Sequence, residues 1–170
     1  MEKSEWRISK ADPEDAEELL RFLNRVGGES DNLLFGAGEM KLTVEQEREW
    51  IIRENSQSQS VTLIGKLNGE IAAIGSLAGF NRERIAHRAE LSVVVSRECW
   101  GQGIGRSMME ALISFGRDSG REILELKVRT DNQRAIRLYE SLGFQACGTY
   151  SRFFKIGGAY YDALLMNLSL

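Results

Sequence analysis

Residues 101 to 107, Gly101-Gln102-Gly103-Ile104-Gly105-Arg106-Ser107, place three glycines at alternate positions just before a stretch in which Ile104, Met108, Leu112 and Phe115 recur at helical spacing. Glycines at a helix start leave backbone N–H groups uncovered. Those unsatisfied donors and the helix dipole together attract an anion, most often a phosphate. The spacing excludes two familiar phosphate loops. A G-x-G-x-x-G loop counted from Gly101 would need its last glycine at Arg106. A G-x-x-x-x-G-K-[ST] loop would need a glycine at Trp100 and a lysine at Arg106. A turn that serves only close helix-to-strand packing is the alternative reading of the same glycines.

A second strand-to-helix transition follows in "VRTDNQRAIRLYESLGF" (128–144). Asn132 and Tyr139 are seven residues apart, which sets them on nearly the same helix face about two turns apart. An amide at the helix start and a phenol further along can face one ligand, although a half-buried core aromatic is the commoner use of such a tyrosine.

The elements that must position these residues read as follows. "WRIS" (6–9) is a short strand, and 12–28 a helix with Asp12 as N-cap and Pro13 in the first turn. The connection 29–42 leads to a second helix from Thr43 to about Asn55, where Thr43 and Gln46 have capping-box spacing. Asn68-Gly69 predicts a tight hairpin between "VTLIGKL" and "EIAAIGSLAGF". Strand 89–95 precedes the glycine turn and a helix to Gly120 follows it. Strand 122–128, helix 132–142 and two last strands near 145–156 and 159–168 complete the chain. No repeat or linker divides it, so residues 1–170 are expected to form a single α/β domain.

Composition narrows the function classes. The chain has 170 residues, 42% of them hydrophobic, enough for a core that folds unaided. A net charge of −3 gives no broad basic surface, so no nucleic-acid partner is expected. The charged opening MEKSEW and the lack of a long apolar run predict no membrane partner and a cytoplasmic protein. Cys99 and Cys147 form no CxxC pair and have no histidine near them in sequence, so no metal site is expected and both read as packing residues.

"AELSVVVSRECWGQGIGRSMMEALI" followed by "LELKVRTDNQRAIRLYESLGF" resembles the GNAT superfamily of N-acetyltransferases over about a third of the chain, and the order of elements is compatible with its fold throughout. The resemblance implies a mixed, mostly antiparallel central sheet flanked by about four helices, with acetyl-CoA as acyl donor. Trp100 stands where the family often carries Gln or Arg. Carried over by position, Gly101, Gln102, Gly103, Ile104, Gly105, Arg106 and Ser107 would hold the pyrophosphate of coenzyme A. Val93, Val94 and Val95 lie on the strand that would offer backbone groups to the pantetheine arm and the acetyl carbonyl. Asn132 would contact the pantetheine, and Tyr139 would stand near the sulfur as general acid.

An amine with a pKa of about 10 is mostly protonated at neutral pH, so a base must reach it. Glu90 resembles a glutamate of polyamine-acetylating and related family members and is the first candidate; a solvent-facing charge at a strand end is its other reading. His87 has a suitable intrinsic pKa but falls in the expected loop "NRERIAHR". In the family, the loop after the first helix and the final strands build the acceptor pocket. Here these carry Glu29, Asp31, Phe35 and Glu39, then Tyr160, Tyr161 and Asp162. Carboxylates with aromatics suit a small cationic amine such as a polyamine, an amino sugar or an amino-acid derivative. Family members that acetylate ribosomal-protein N-termini often have a glutamate five residues before the motif asparagine. Lys127 occupies that position, which weighs against the alternative of a protein or peptide Nα-acetyltransferase. A non-catalytic acyl-CoA sensor is the alternative of another class; it would have no need of Tyr139 and Glu90. Pairing into a homodimer through the C-terminal strands is implied by the resemblance alone.

Overall fold

A computed structural model describes residues 5–170. Seven strands form one sheet in the order β1-β2-β3-β4-β5-β7-β6. In chain order the elements are β1 (Trp6–Lys10), α1 (Ala16–Val26), α2 (Val44–Asn55), β2 (Val61–Leu67), β3 (Glu70–Gly79), β4 (Arg88–Val95), α3 (Ile104–Asp118), β5 (Ile123–Arg129), α4 (Gln133–Ser141), β6 (Gln145–Ile156) and β7 (Ala159–Ser169). Every neighbouring pair is antiparallel except β4 and β5. The mixed α/β sheet with four helices is the architecture the sequence leads one to expect.

Local chemistry accounts for the boundaries. Asn68 and Gly69 both adopt positive φ (53° and 89°), the requirement of the two-residue turn that matches strand twist. Thr43 Oγ1 accepts the Gln46 N–H while Gln46 Oε1 accepts the Thr43 N–H, a reciprocal cap on α2. The first helix begins later than its sequence pattern suggests. Pro13–Asp15 form a 3-10 turn, capped by Asp12, before α1 starts at Ala16. The "NRERIAHR" segment is a connection with a 3-10 turn at Glu83–Ile85, as its polarity predicts.

Two apolar layers sandwich the sheet. On one face α3 and α4 bury Met108, Leu112 and Ile136 against Leu91, Leu124 and Leu126. On the other, α1 and α2 bury Leu19, Phe22 and Ile51 against Ile64 and Ile74. Strand alternation sorts the residues between layers, so Val93 and Val95 pack toward α3 while Val94 packs toward α1 and α2. Cys99 is buried, but Cys147 is exposed on the edge strand β6, so core packing accounts for only one of the two cysteines.

Trp6 ties β1 to the helix that follows the glycine turn. Its ring lies against the backbone of Gly65 on β2, and its Nε1 donates to Ser107 Oγ at 3.0 Å. A Cβ on residue 65 would come within 2.1 Å of that ring. Gly65→Ala is therefore expected to cost about 1–3 kcal/mol, the usual range for overpacking, read as a lower urea midpoint at unchanged slope. An unchanged midpoint would separate Trp6 from the stability of the sheet.

Candidate active site

β4 and β5 are the one parallel pair, and they stay together for three register pairs only, Arg88↔Ile123, Ala89↔Leu124 and Glu90↔Glu125. Beyond Glu90 the strands part. Arg88 C=O accepts from Phe80 N–H and Ser96 N–H donates to Ala72 C=O, so the even-numbered residues of β4 turn their backbone groups to β3. By the two-residue alternation, Val93 and Val95 turn theirs to the opening. Val94 does not; its backbone pairs with Ile74 on β3. The Val95 carbonyl is already taken by Trp100 Nε1 at 2.9 Å. Val93 N–H and C=O and Val95 N–H are thus what the fork presents to an extended ligand.

The glycine turn sits at the head of the fork. Gly101 and Gly103 hold φ of 78° and 82°, a left-handed geometry that only glycine adopts freely. No acceptor among the described residues meets the backbone N–H groups of Gly101 through Arg106; the first bond of the turn is Ser107 N–H to Gly103 C=O at 3.0 Å. Six successive donors therefore stand open at a helix N-terminus. The side chains of this stretch do not join them. Gln102 Nε2 turns back to Glu98 C=O at 2.9 Å, Arg106 bonds Ser141 Oγ on α4 at 2.6 Å, and Ser107 Oγ receives Trp6. Ile104 is buried in the core. Gly105 serves packing: a Cβ there would touch Leu138 on α4 at 3.4 Å and Val95 at 3.7 Å. An anion fits this turn through its backbone and not through its side chains. Trp100 adds two cations beside it, with the guanidinium of Arg134 4.7 Å from its ring and that of Arg97 at 5.9 Å.

On α4, Asn132 Oδ1 caps the helix by accepting Ala135 N–H at 3.3 Å, which leaves its amide N–H₂ for another partner. Tyr139 lies two turns on, half-buried and 6.0 Å from the Phe144 ring. Burial pushes its phenol up to about 12, so it stays protonated at any physiological pH.

Glu90 closes the fork on the α1/α2 face. Lys127 Nζ lies 2.5 Å from its Oε1 and thereby spans β4 and β5. Arg88 pairs with Glu125 in the same diagonal sense. His87 lends its backbone carbonyl to Glu122 and Ile123 N–H at the start of β5.

The expected acceptor residues divide. Phe35 lines a cavity of about 380 Å³ between the loop after α1 and the β6–β7 hairpin, with Asp31, Glu39, Phe153, Phe154 and Lys155. Tyr161 stands opposite Phe154 in the β6–β7 ladder and stacks on the Arg129 guanidinium at 3.9 Å. Glu29 and Asp162 are not brought into the cavity. Glu29 Oε2 accepts Arg97 N–H at 2.6 Å and so fixes the turn after β4. Asp162 Oδ1 accepts Arg152 N–H at 2.7 Å, holding β6 at its bulge, where Arg152 has φ of 55°. Arg129 is a residue that sequence reading missed. It grips Asp131 with two bonds of 2.9 and 2.6 Å and donates to Asp31 C=O at 3.0 Å. An arginine ending a strand, two positions before an aspartate, was the available signal. A second depression, of about 490 Å³, lies at the β1–β2 end of the sheet beside Lys66. Lys66 is spent there on Asp15 and Glu18, whose hydrogen bonds raise its pKa.

Comparison with known proteins decides what this fork belongs to. The model of the acetyltransferase (GNAT) family matches residues 29–144, well over half of the chain. The chain belongs to the GNAT acetyltransferase family. Acetyl-CoA is that family's acyl donor. A solved GNAT-family acetyltransferase from Streptococcus pneumoniae is 34% identical, with a TM-score of 0.94 over 98% of this chain and 100% of that one. The N-alpha-acetyltransferase RimI of Mycobacterium tuberculosis is 42% identical over 67 residues, 39% of either chain. The L-amino acid N-acyltransferase MnaT of Escherichia coli is 28% identical over 109 residues, 64% of this chain and 63% of its own. The match thus spans less than two thirds of each of these two curated relatives.

Because the open donors are backbone groups on left-handed glycines, substitution at Gly103 should act on ligand binding. Gly103→Val adds a Cβ that has nothing within 4 Å of it. It must pay about 1–2 kcal/mol to keep the left-handed φ, so the turn relaxes away from its anion-binding shape. Calorimetric titration should give acetyl-CoA affinity about tenfold lower or worse. Unchanged affinity would mean that the turn does not hold the cofactor.

Proposed function

We propose that the protein is an acetyl-CoA-dependent N-acetyltransferase whose acceptor is the primary amine of a small cationic molecule: a polyamine, an amino sugar or an amino-acid derivative. The observation that carries this reading is the run of six open N–H groups at Gly101–Arg106 standing at the head of the β4/β5 fork. The turn suits a pyrophosphate, and the fork suits an extended pantetheine arm that pairs with Val93 and Val95 as a missing strand would.

In this reading each residue has one task. Val93 N–H, which faces the opening, would stabilise the thioester oxygen as negative charge develops on it. Glu90, through its open carboxylate oxygen or a bound water, accepts the proton of the incoming ammonium. Tyr139, kept protonated by burial, gives its proton to the departing thiolate. Asn132 offers its amide N–H₂ to the pantetheine. A cavity of about 380 Å³ supports a small acceptor, since it falls in the usual range of about 300–1,000 Å³ for small-molecule pockets. Asp31 and Glu39 with Phe35, Phe153 and Phe154 supply the carboxylates and aromatic faces that attract a cation. MnaT, named for amino acids, supports the same class. A protein N-terminus is the second reading, supported by the RimI match over 67 residues.

The test is release of coenzyme A thiol from acetyl-CoA against polyamines, amino sugars, amino acids and short peptides. Release dependent on a small amine supports the proposal; release with peptides alone moves the assignment to the second reading. Binding of acetyl-CoA with no release under any amine would make the protein a sensor.

With an active acceptor, Tyr139→Phe should keep acetyl-CoA affinity and lower turnover by about a hundredfold or more. The sign of the pH effect follows from the raised phenol. Wild-type turnover should not fall at pH 10 through loss of this acid, because deprotonation waits until about 12. A fall centred near pH 10 that disappears in Tyr139→Phe would contradict the assignment.

A further inference from the structure

We propose that Lys127 is itself an acceptor, a self-acetylation site of the chain loaded with acetyl-CoA. The inference rests on the transferase reading above and starts from the register of the fork. Parallel pairing ends at Glu90↔Glu125. Continued by two residues, the same register sets Lys127 across the opening from Ser92, one residue from Val93. Lys127 is therefore the β5 residue that faces the level of β4 at which the thioester would lie. Alternation fixes the side. Leu124, Leu126 and Val128 enter the α3 layer, so Glu125, Lys127 and Arg129 project to the α1/α2 face, where Glu90 and Ser92 also project.

Lys127 Nζ is held 2.5 Å from Glu90 Oε1, and its side chain retains 32% of its exposure. The arrangement is an amine already docked on the carboxylate that is to deprotonate an amine. Of the other described lysines, Lys41 is exposed on the connection before α2, and the remaining three are engaged elsewhere. Lys66 is bound by Asp15 and Glu18 near the far edge of the sheet, Lys10 lies over the Phe115 ring, and Lys155 lies on edge strand β6 beside Tyr160.

The chemistry balances without a further reactant. Nζ of the lysine ammonium loses one proton to Glu90 and attacks the thioester carbonyl. The Nζ–C bond forms and the C–S bond breaks. A second proton leaves nitrogen as the amide forms and passes through solvent to Tyr139, which gives its own proton to the thiolate, so the phenol is restored and Glu90 sheds the remaining proton. The products are acetyl-lysine, coenzyme A thiol and one proton released to solvent. A neutral amide then replaces the ammonium, the ion pair to Glu90 is lost, and the carboxylate is free for a cationic acceptor. Unmodified Lys127 competes with such an acceptor for Glu90.

The full chain, incubated with acetyl-CoA and no added amine, should gain an acetyl group at Lys127. Peptide mapping should find this site modified at least about ten times faster than Lys66 or Lys155, and Glu90→Gln should slow it by about ten- to a hundredfold, the scale of losing a general base. Lys127→Arg keeps a cation on Glu90 and cannot be acetylated, so it should bind acetyl-CoA as before and lose the mark. Equal rates at Lys66, Lys155 and Lys127 would mean uncatalysed acetylation and overturn the inference. So would a chain that acetylates an added amine and leaves Lys127 unmodified, and that result would leave the transferase reading intact. A chain that fails to bind acetyl-CoA would overturn both.

Discussion

The separation of β4 from β5 after three register pairs is the constraint on which the rest of the structure turns. A sheet interior is an expensive place to leave backbone groups without partners. The opening therefore has to be propped from both faces and stopped at both ends. Below it, Gly105 lets α3 come close to Val95 and to Leu138 of α4, so the helices fill the floor. At the head, Trp100 Nε1 satisfies the Val95 carbonyl. At the root, Glu90 lies directly opposite Glu125, a like-charge pairing that disfavours further zipping. Each carboxylate is neutralised diagonally, by Lys127 and Arg88, and these two bridges clip the strands together at the last point where they pair.

Charge around the site is arranged locally, against the trend of the whole chain. The net charge is −3, yet Arg97 and Arg134 flank Trp100 beside the open N–H groups. The tryptophan ring is a platform for two guanidinium groups. On the opposite face the bounding groups of the cavity include Asp31 and Glu39. An anionic donor and a cationic acceptor would thus meet surfaces of opposite sign on the two sides of one sheet.

Much of this was legible in the sequence because it depends on local rules. Helical spacing of Ile104, Met108 and Leu112, the Thr43 cap, the Asn68-Gly69 turn and the glycine stretch each act over a few residues, and each element appears within a few positions of its expected bounds. What could not be read was how side chains spend their hydrogen bonds across long separations. Gln102, Arg106 and Ser107 belong to the motif by position, but their polar atoms go to Glu98, Ser141 and Trp6. Glu29 and Asp162 looked like acceptor carboxylates and are instead braces for backbone N–H groups of Arg97 and Arg152. Sequence reading took Lys127 only as a missing glutamate, while the fold makes it the partner of Glu90, 37 residues away along the chain.

The acid and base proposed for this site sit in different surroundings. Tyr139 is on a helix packed into the core, where burial disfavours the phenolate, so its proton is available at the pH at which amines are acetylated. Glu90 sits at the root of the fork, 40% exposed and paired with Lys127. Its availability to an acceptor is then a matter of displacement, since an ammonium that replaces Lys127 must offer the carboxylate at least as good a contact. An amine carrying a second cation, able to reach Asp31 or Glu39 while its reactive nitrogen approaches Glu90, gains attraction that Lys127 lacks. On the proposed reading, the fork that admits an acyl donor through its backbone selects its acceptor by competition with one of its own side chains.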